Sequence, residues 1–185
     1  AYDRLLLATG STPFIPPVPG STLPGVHAYR DIADADAMIE AAARYRHAVV
    51  IGGGLLGLEA ANGLAVRGMA VTVVHLGEWI MERQLDQPAA GMLQAALQAK
   101  GLQFRLAAQT ASLVQGESGR VCAVTLQSGE SLPADLVVMA AGIRPNTALA
   151  ESAGLQCQRG IVVNDALQTS DPDIYAAGDC CSFPH

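Results

Sequence analysis

Three glycines, Gly52, Gly54 and Gly57, stand in the spacing Gly-x-Gly-x-x-Gly. The apolar run Ala48-Val49-Val50-Ile51 precedes them and the helix-forming run Leu58–Ala65 follows, with a β-branched run, Val71-Thr72-Val73-Val74, behind. That setting gives the spacing a mechanism. The first glycine permits a tight turn, the second lets the backbone approach a bulky anion, and the third lets helix and strand pack closely. Ala61, four residues beyond Gly57, is small enough to keep that packing close. The free N–H groups at the start of the helix, around Leu55 and Leu56, then suit a diphosphate. The bland alternative, glycines serving a turn and nothing else, is outweighed by the strand–turn–helix–strand context. This segment is predicted to bind a dinucleotide.

Other residues could shape that site. Glu59, two residues past Gly57, is expected in the first helical turn, where a carboxylate is stabilised by the helix dipole whether or not it meets a ligand. His75 follows the second strand, eighteen residues after Gly57. A nicotinamide-nucleotide binder usually places Asp or Glu there, on the adenosine ribose diol. Histidine can hydrogen-bond a hydroxyl but lacks the charge that repels a 2′-phosphate, or it is only a polar strand tip. Glu78 and Arg83 are candidates to reach the same region and favour opposite cofactors, so the choice between NADH and NADPH stays open. Cys180 and Cys181 are adjacent, and could pair only through a strained eight-membered ring. They are expected to be incidental small side chains, and Cys122, alternating with Val124 and Leu126, to lie in a core. No nucleophile or general-base constellation appears.

The surrounding elements are those such a site needs. Leu5–Thr9 reads as a strand ending at Gly10, followed by an extended connector with four prolines in ten residues. Asp31 or Asp34 should cap a helix running through Ala35–Arg44. Asp86, with Pro88 in the first turn, opens another helix, whose apolar stripe is Ala89, Met92, Leu93, Ala96 and Leu97, closed at Lys100-Gly101. Leu102–Leu106 should join the parallel sheet. Ser112–Gln115 and Val121–Gln127 read as antiparallel strands, and Asp135–Ala141 as a strand covered on both faces, ending at Gly142. Short strands follow at Gly160–Val163 and from Ile174. The predicted fold is α/β, a Rossmann-like three-layer parallel sheet with an antiparallel β-meander.

Half of the 185 residues are apolar and 15% are charged, enough for a sizeable core. The net charge of −6 and the lack of a Lys/Arg cluster argue against nucleic acid. The apolar runs are too short to span a bilayer, and the four cysteines show no metal-ligand spacing, which makes a reducing cytoplasm the expected compartment. The chain opens Ala1-Tyr2-Asp3-Arg4 without an initiator Met and stops at Pro184-His185. Both ends read as cut, and a longer parent polypeptide is expected.

Three stretches in order carry a family resemblance: Leu6-Leu7-Ala8-Thr9-Gly10-Ser11, the glycine loop with Glu59, and Thr169–Asp179 ending in Ala-Gly-Asp. Together they resemble the pyridine nucleotide–disulfide oxidoreductase superfamily, flavoproteins with two dinucleotide-binding domains. The resemblance implies an FAD domain into which an NAD(P)H domain is inserted. Residues 1–22 would be an outgoing FAD-domain segment with connector, 23–145 the NAD(P)H-binding domain, and 146–185 an incomplete returning FAD-domain segment. It implies that Thr9 and Gly10 lie along FAD, that Asp179 hydrogen-bonds its ribityl or phosphate region, and that Gly142 lets the backbone pass NAD(P)H. Glu59 would point toward the nicotinamide, from which hydride passes to the flavin.

Within the superfamily, Ile51–Ala61, Val73–Leu76, Met81-Glu82-Arg83-Gln84-Leu85-Asp86 and Gly142–Thr147 look most like the nitrite reductase large-subunit group. The ending from Gly178-Asp179-Cys180 departs from the Gly-Glu-Cys of that group and looks more like ferredoxin or rubredoxin reductases; an NADH oxidase shares the architecture. A binding module that senses NAD(P)H without turnover is the alternative of another class. The implied partners are the dinucleotide cofactors and the rest of the chain's own polypeptide, and a homodimer is left open.

Overall fold

The computed structural model describes residues 2–183; the terminal Ala1, Pro184 and His185 lie outside the described residues. In chain order the strands and helices are β1 (Leu5–Leu7), β2 (Ser11–Pro13), β3 (Val26–Ala28), α1 (Ile32–Arg44), β4 (His47–Ile51), α2 (Leu55–Val66) and β5 (Ala70–Val74). There follow α3 (Gln87–Ala99), β6 (Gln103–Arg105), β7 (Thr110–Gln115), β8 (Val121–Leu126), β9 (Ser131–Pro133) and β10 (Leu136–Met139). Last come β11 (Ile143–Pro145), α4 (Ala148–Ser152), β12 (Ile161–Val162), β13 (Ile174–Ala176) and β14 (Cys181–Ser182). They form two compact units, one of Pro13–Gly142 and one of the chain on either side of it.

The first unit is built on a five-stranded sheet of order β3-β10-β4-β5-β6, with every pairing parallel. All four residues of β10 and four of the five in β4 are buried, as their unbroken apolar sequence requires of strands covered on both faces. Alternate side chains feed two cores. Ala48, Val50, Val71, Val73, Leu136 and Val138 face the three helices, meeting Met38 and Ala41 of α1, Leu58, Ala61 and Leu64 of α2, and Ala90 and Leu97 of α3. Val49, Ile51, Val74, Val137 and Met139 face the antiparallel meander β7-β8-β9 through Leu113, Val124 and Leu132. The result is three layers: helices, parallel sheet, meander.

Local sequence sets the helix boundaries. Asp31 caps α1 by accepting from Asp34 N–H at 2.9 Å, and Asp34 returns the bond at the Asp31 N–H, so the two candidate caps are the two halves of one capping box. Asp86 caps α3 through Ala89 N–H, with Pro in the first turn. The stripe expected on α3 is rotated, however. Ala90 and Leu97 are buried and Leu93 packs beside them, while Met92 is 77% exposed. Only one side of α3 meets the sheet, so a narrow i, i+3, i+7 stripe suffices.

Cys122 corrects another expectation: it is exposed although Val124 and Leu126 of the same strand are buried. One step along β7, from Val114 to Gln115, moves the partner on β8 from Ala123 to Val121. Cys122 is the extra residue of a β-bulge, which breaks the alternation that sequence periodicity assumes. At the start of β4, Asp135 accepts from the His47 and Arg46 N–H groups at 2.9 and 3.1 Å. Burial pushes its carboxyl up, but these bonds and the His47 imidazole outweigh that and hold it below its ordinary value.

The second unit joins distant pieces of chain. β1 pairs in parallel with β13, β2 with β11, and β12 in parallel with β14. Leu7, Ala150, Leu155, Ile161, Val163, Ile174, Ala176 and Cys180 form its core.

Candidate functional site

The glycine turn lies at the carboxyl ends of the three central parallel strands. Gly52 leaves β4 with φ +124°, and its N–H donates to the Val74 carbonyl that ends β5. A side chain at Gly52 would run into the Ala140 carbonyl, just past β10, and one at Gly57 into the carbonyl of Gly52. These two glycines are structural necessities of the turn. Gly54 differs: a Cβ there would meet nothing within 4 Å. It caps α2 with no side-chain hydrogen bond, so the first amides of the helix have no side-chain acceptor at the cap. Leu55 and Leu56, the first two helical residues, are 56% and 41% exposed although apolar. From β4 the chain steps outward through α2 to β5 and α3 to β6, whereas β10 lies on the other side, so the turn opens at a topological switch point. A helix N-terminus without a side-chain cap, open space at Gly54 and exposed leucines are what an anionic, partly apolar ligand requires, so the residues fit a dinucleotide.

The other expected residues of this unit are placed as follows. Glu59 is the fifth residue of α2, and thus in its second turn rather than its first, because the helix begins ahead of the third glycine. Its exposed side chain borders a groove between α1 and α2 with Met38, Ile39, Gly63 and Arg67. Gly142, φ +117°, is exposed past the end of β10 and accepts from Phe14 N–H. His75, just past β5, has both ring nitrogens engaged. Gly53 N–H donates to Nδ1 at 3.1 Å, so Nδ1 is the acceptor and the neutral ring carries its proton on Nε2, 3.1 Å from Oε2 of Glu82. The side chain bonded to His75 is that of Glu82. Its hexapeptide is one of the stretches that carry the family resemblance, but this carboxylate was assigned no role. The available signal was a histidine in a position that usually carries an acid, with carboxylates a few residues on.

In the other unit, Thr9, Gly10 and Asn146 are locked together. Thr9 Oγ1 donates to Asn146 O at 2.6 Å, Asn146 Nδ2 to Thr9 O at 2.8 Å, and Asn146 N–H to Gly10 O at 2.9 Å. Asn146 is a second residue with no role assigned from its sequence context. Asp179 Oδ2 accepts from Ser11 Oγ at 3.0 Å. The Cys180 and Cys181 sulfurs lie 3.9 Å apart, hydrogen-bonded to each other with no disulfide between them. Burial raises the Cys180 thiol, but hydrogen bonds from Thr9, Gly10 and Cys181 outweigh it and the net direction is downward. Cys181 is pushed up to about 11 by burial and by its bonded neighbour. Among the described residues no helix is long and apolar enough to cross a membrane.

Comparison with known proteins agrees with this geometry. Nitrite reductase [NAD(P)H] of Bacillus subtilis (strain 168) is 53% identical over 179 residues, which cover 97% of this chain and 22% of that protein. The assimilatory nitrate reductase electron transfer subunit of the same strain is 50% identical over 182 residues, covering 97% and 23%. The chain thus spans less than a quarter of either relative. Among solved structures, the ferredoxin reductase for the CYP199A2 system of Rhodopseudomonas palustris superposes with a TM-score of 0.94 at 35% identity, over 98% of this chain and 45% of that one. The water-forming NADH oxidase of Lactobacillus brevis, solved with NADH bound, gives 0.90 at 28% identity, over 98% and 40%. The family profile for pyridine nucleotide-disulphide oxidoreductases matches residues 1–185. The fold, the glycine turn and this match over the whole chain agree: the chain belongs to the pyridine nucleotide-disulphide oxidoreductase family.

Proposed function

We propose that the Pro13–Gly142 unit is the NAD(P)H-binding domain of an FAD-dependent oxidoreductase, and that the other unit comprises segments of its FAD domain. The observation that carries this is the start of α2, capped by Gly54 with no side-chain acceptor and bordered by open space and exposed leucines. Backbone amides from Leu55 onward would hold the diphosphate, Gly54 would let it come close, and Leu55 and Leu56 would be covered by the nucleotide. Glu59 and Gly142 would flank the rest of the coenzyme. Thr9, Gly10 and Asp179 would line FAD, their positions fixed by Asn146 and Ser11. When bound, the nicotinamide supplies a hydride to the flavin, and the chain's part is to hold and orient both.

The parent enzyme we infer is a cytoplasmic nitrite reductase large subunit, supported by the 53% identity to the Bacillus protein. A reductase that serves a small electron carrier is the second reading, favoured by the Gly178-Asp179-Cys180 ending and by the likeness to a ferredoxin reductase. Titration of the protein with NADH and NADPH tests the site. Trp79, the sole tryptophan, sits in the loop after β5 and reports binding by its emission. Saturable binding of at least one coenzyme at one per chain is expected; binding of neither overturns the proposal. NAD(P)H oxidation by the polypeptide carrying this chain, with nitrite or with a reduced-carrier assay as readout, separates the two parent enzymes.

A further inference from the structure

The loop between β5 and α3 is tied to the glycine turn at both backbone groups of Gly53. The Gly53 N–H donates to Nδ1 of His75, and its carbonyl accepts from Met81 N–H at 2.9 Å. Ile80, fully buried, anchors the loop in the helix-side core, and Trp79 Nε1 donates to Leu85 O at 3.3 Å. Met81 is held with φ +56°, a left-handed conformation that a non-glycine residue adopts only where its surroundings impose it. The residue that this turn delivers is Glu82. Its carboxylate lies over Gly77, where any Cβ would overlap Oε2, and meets Nε2 of His75. His75 is nearly enclosed, with 12% of its side chain exposed, whereas Glu82 keeps 43%. The imidazole therefore acts as a largely enclosed strut, and the negative charge emerges at its outer end.

We propose that Glu82, oriented by His75, is the group that selects NADH over NADPH; this rests on the dinucleotide reading of the glycine turn. A carboxylate beyond the end of β5 accepts hydrogen bonds from the two hydroxyls of an adenosine ribose and repels a 2′-phosphate. The usual solution puts the acid directly after the strand. Here His75 occupies that place, spends one nitrogen on the turn, and extends the reach of an acid from the following loop. Arg83, exposed beside Glu82, is the residue whose charge would favour the opposite choice.

The test is parallel titration of wild type, Glu82→Gln and His75→Ala with NADH and NADPH, read by calorimetry and Trp79 emission, with thermal melts as a check on folding. Wild type is expected to bind NADH at least tenfold more tightly than NADPH. Glu82→Gln keeps a hydrogen-bonding group beside His75 but removes the charge, and should shrink that ratio at least tenfold, mainly by tighter NADPH binding. His75→Ala also takes the acceptor from Gly53 N–H, which should weaken both coenzymes, and by releasing Glu82 it should in addition shrink the ratio in the same direction. A purely structural histidine would weaken both coenzymes equally. NADH binding with a ratio unchanged in Glu82→Gln, or a wild type that prefers NADPH, overturns the inference while leaving the binding site standing. Absence of binding by either coenzyme to wild type overturns both.

Discussion

The two units of the chain achieve order in opposite ways. In Pro13–Gly142 the central strand, the glycine turn, the helix and the next strand follow one another within residues 47–74, and β4 pairs with β5 directly. In the other unit β1 pairs with β13 across nearly the whole sequence, and Thr9 meets Asn146 across 137 residues. The β4–α2–β5 part of the first can assemble from neighbours before β10 joins it, whereas the second must close a very long loop before its strands meet. The difference teaches how each unit is ordered: around a sequence-local strand–turn–helix–strand run in one, and around long-range strand pairing, a small apolar core and the Thr9–Asn146 bonds in the other.

The sharpest way to break that contrast is at the turn itself. Gly57→Val forces a branched side chain into the Gly52 carbonyl and should destabilise the Pro13–Gly142 unit by about 3 kcal/mol, seen as a drop in melting temperature. Gly54→Ala is its control. With open space around it, the fold should hold within about 0.5 kcal/mol, while coenzyme affinity falls about tenfold because the backbone approach is lost. Equal loss of stability in both variants would show that Gly54 too serves only the turn.

In the other unit, Asn146→Ala removes a side-chain donor to Thr9 O and should cost about 1 kcal/mol. Hydrogen exchange should rise in β1 and β13 and stay unchanged in β4 and β5; a rise in all four would erase the distinction. The smallest effect belongs to Asp135. Its folded-state pKa is depressed, so its contribution is present above the ordinary value of 3.8 and lost as pH falls through the lower folded value. Acid melts of wild type should therefore weaken in that window, and Asp135→Asn should be weaker at neutral pH and flatter across it.

Much of this was legible in the sequence because it is local. The glycine spacing, the Asp31 and Asp86 caps and the apolar run of β10 each announce themselves within a few residues. What escaped depends on tertiary company. Cys122 follows the alternation of its strand on paper, but a bulge set by its partner strand turns it outward. Met92 fits a helical stripe, yet α3 offers the sheet only its Ala90–Leu97 side. Glu59 reads as a first-turn acid until the helix start is seen to precede Gly57. His75 is the most instructive, since its residue type gives no sign that both nitrogens are already engaged. The expectation for Thr9, Gly10 and Asp179 rests on family resemblance alone, because nothing near them in sequence marks them out.

Phe14 and Gly142, almost the first and last residues of the larger unit, are joined by a 2.9 Å hydrogen bond. A cassette whose entrance and exit touch can be threaded into a host at a single surface point, since it asks the host to part by no more than the width of two strands. The same geometry makes it portable: Pro13 to Gly142 could be lifted out, closed by a short linker and moved to another scaffold with its sheet intact.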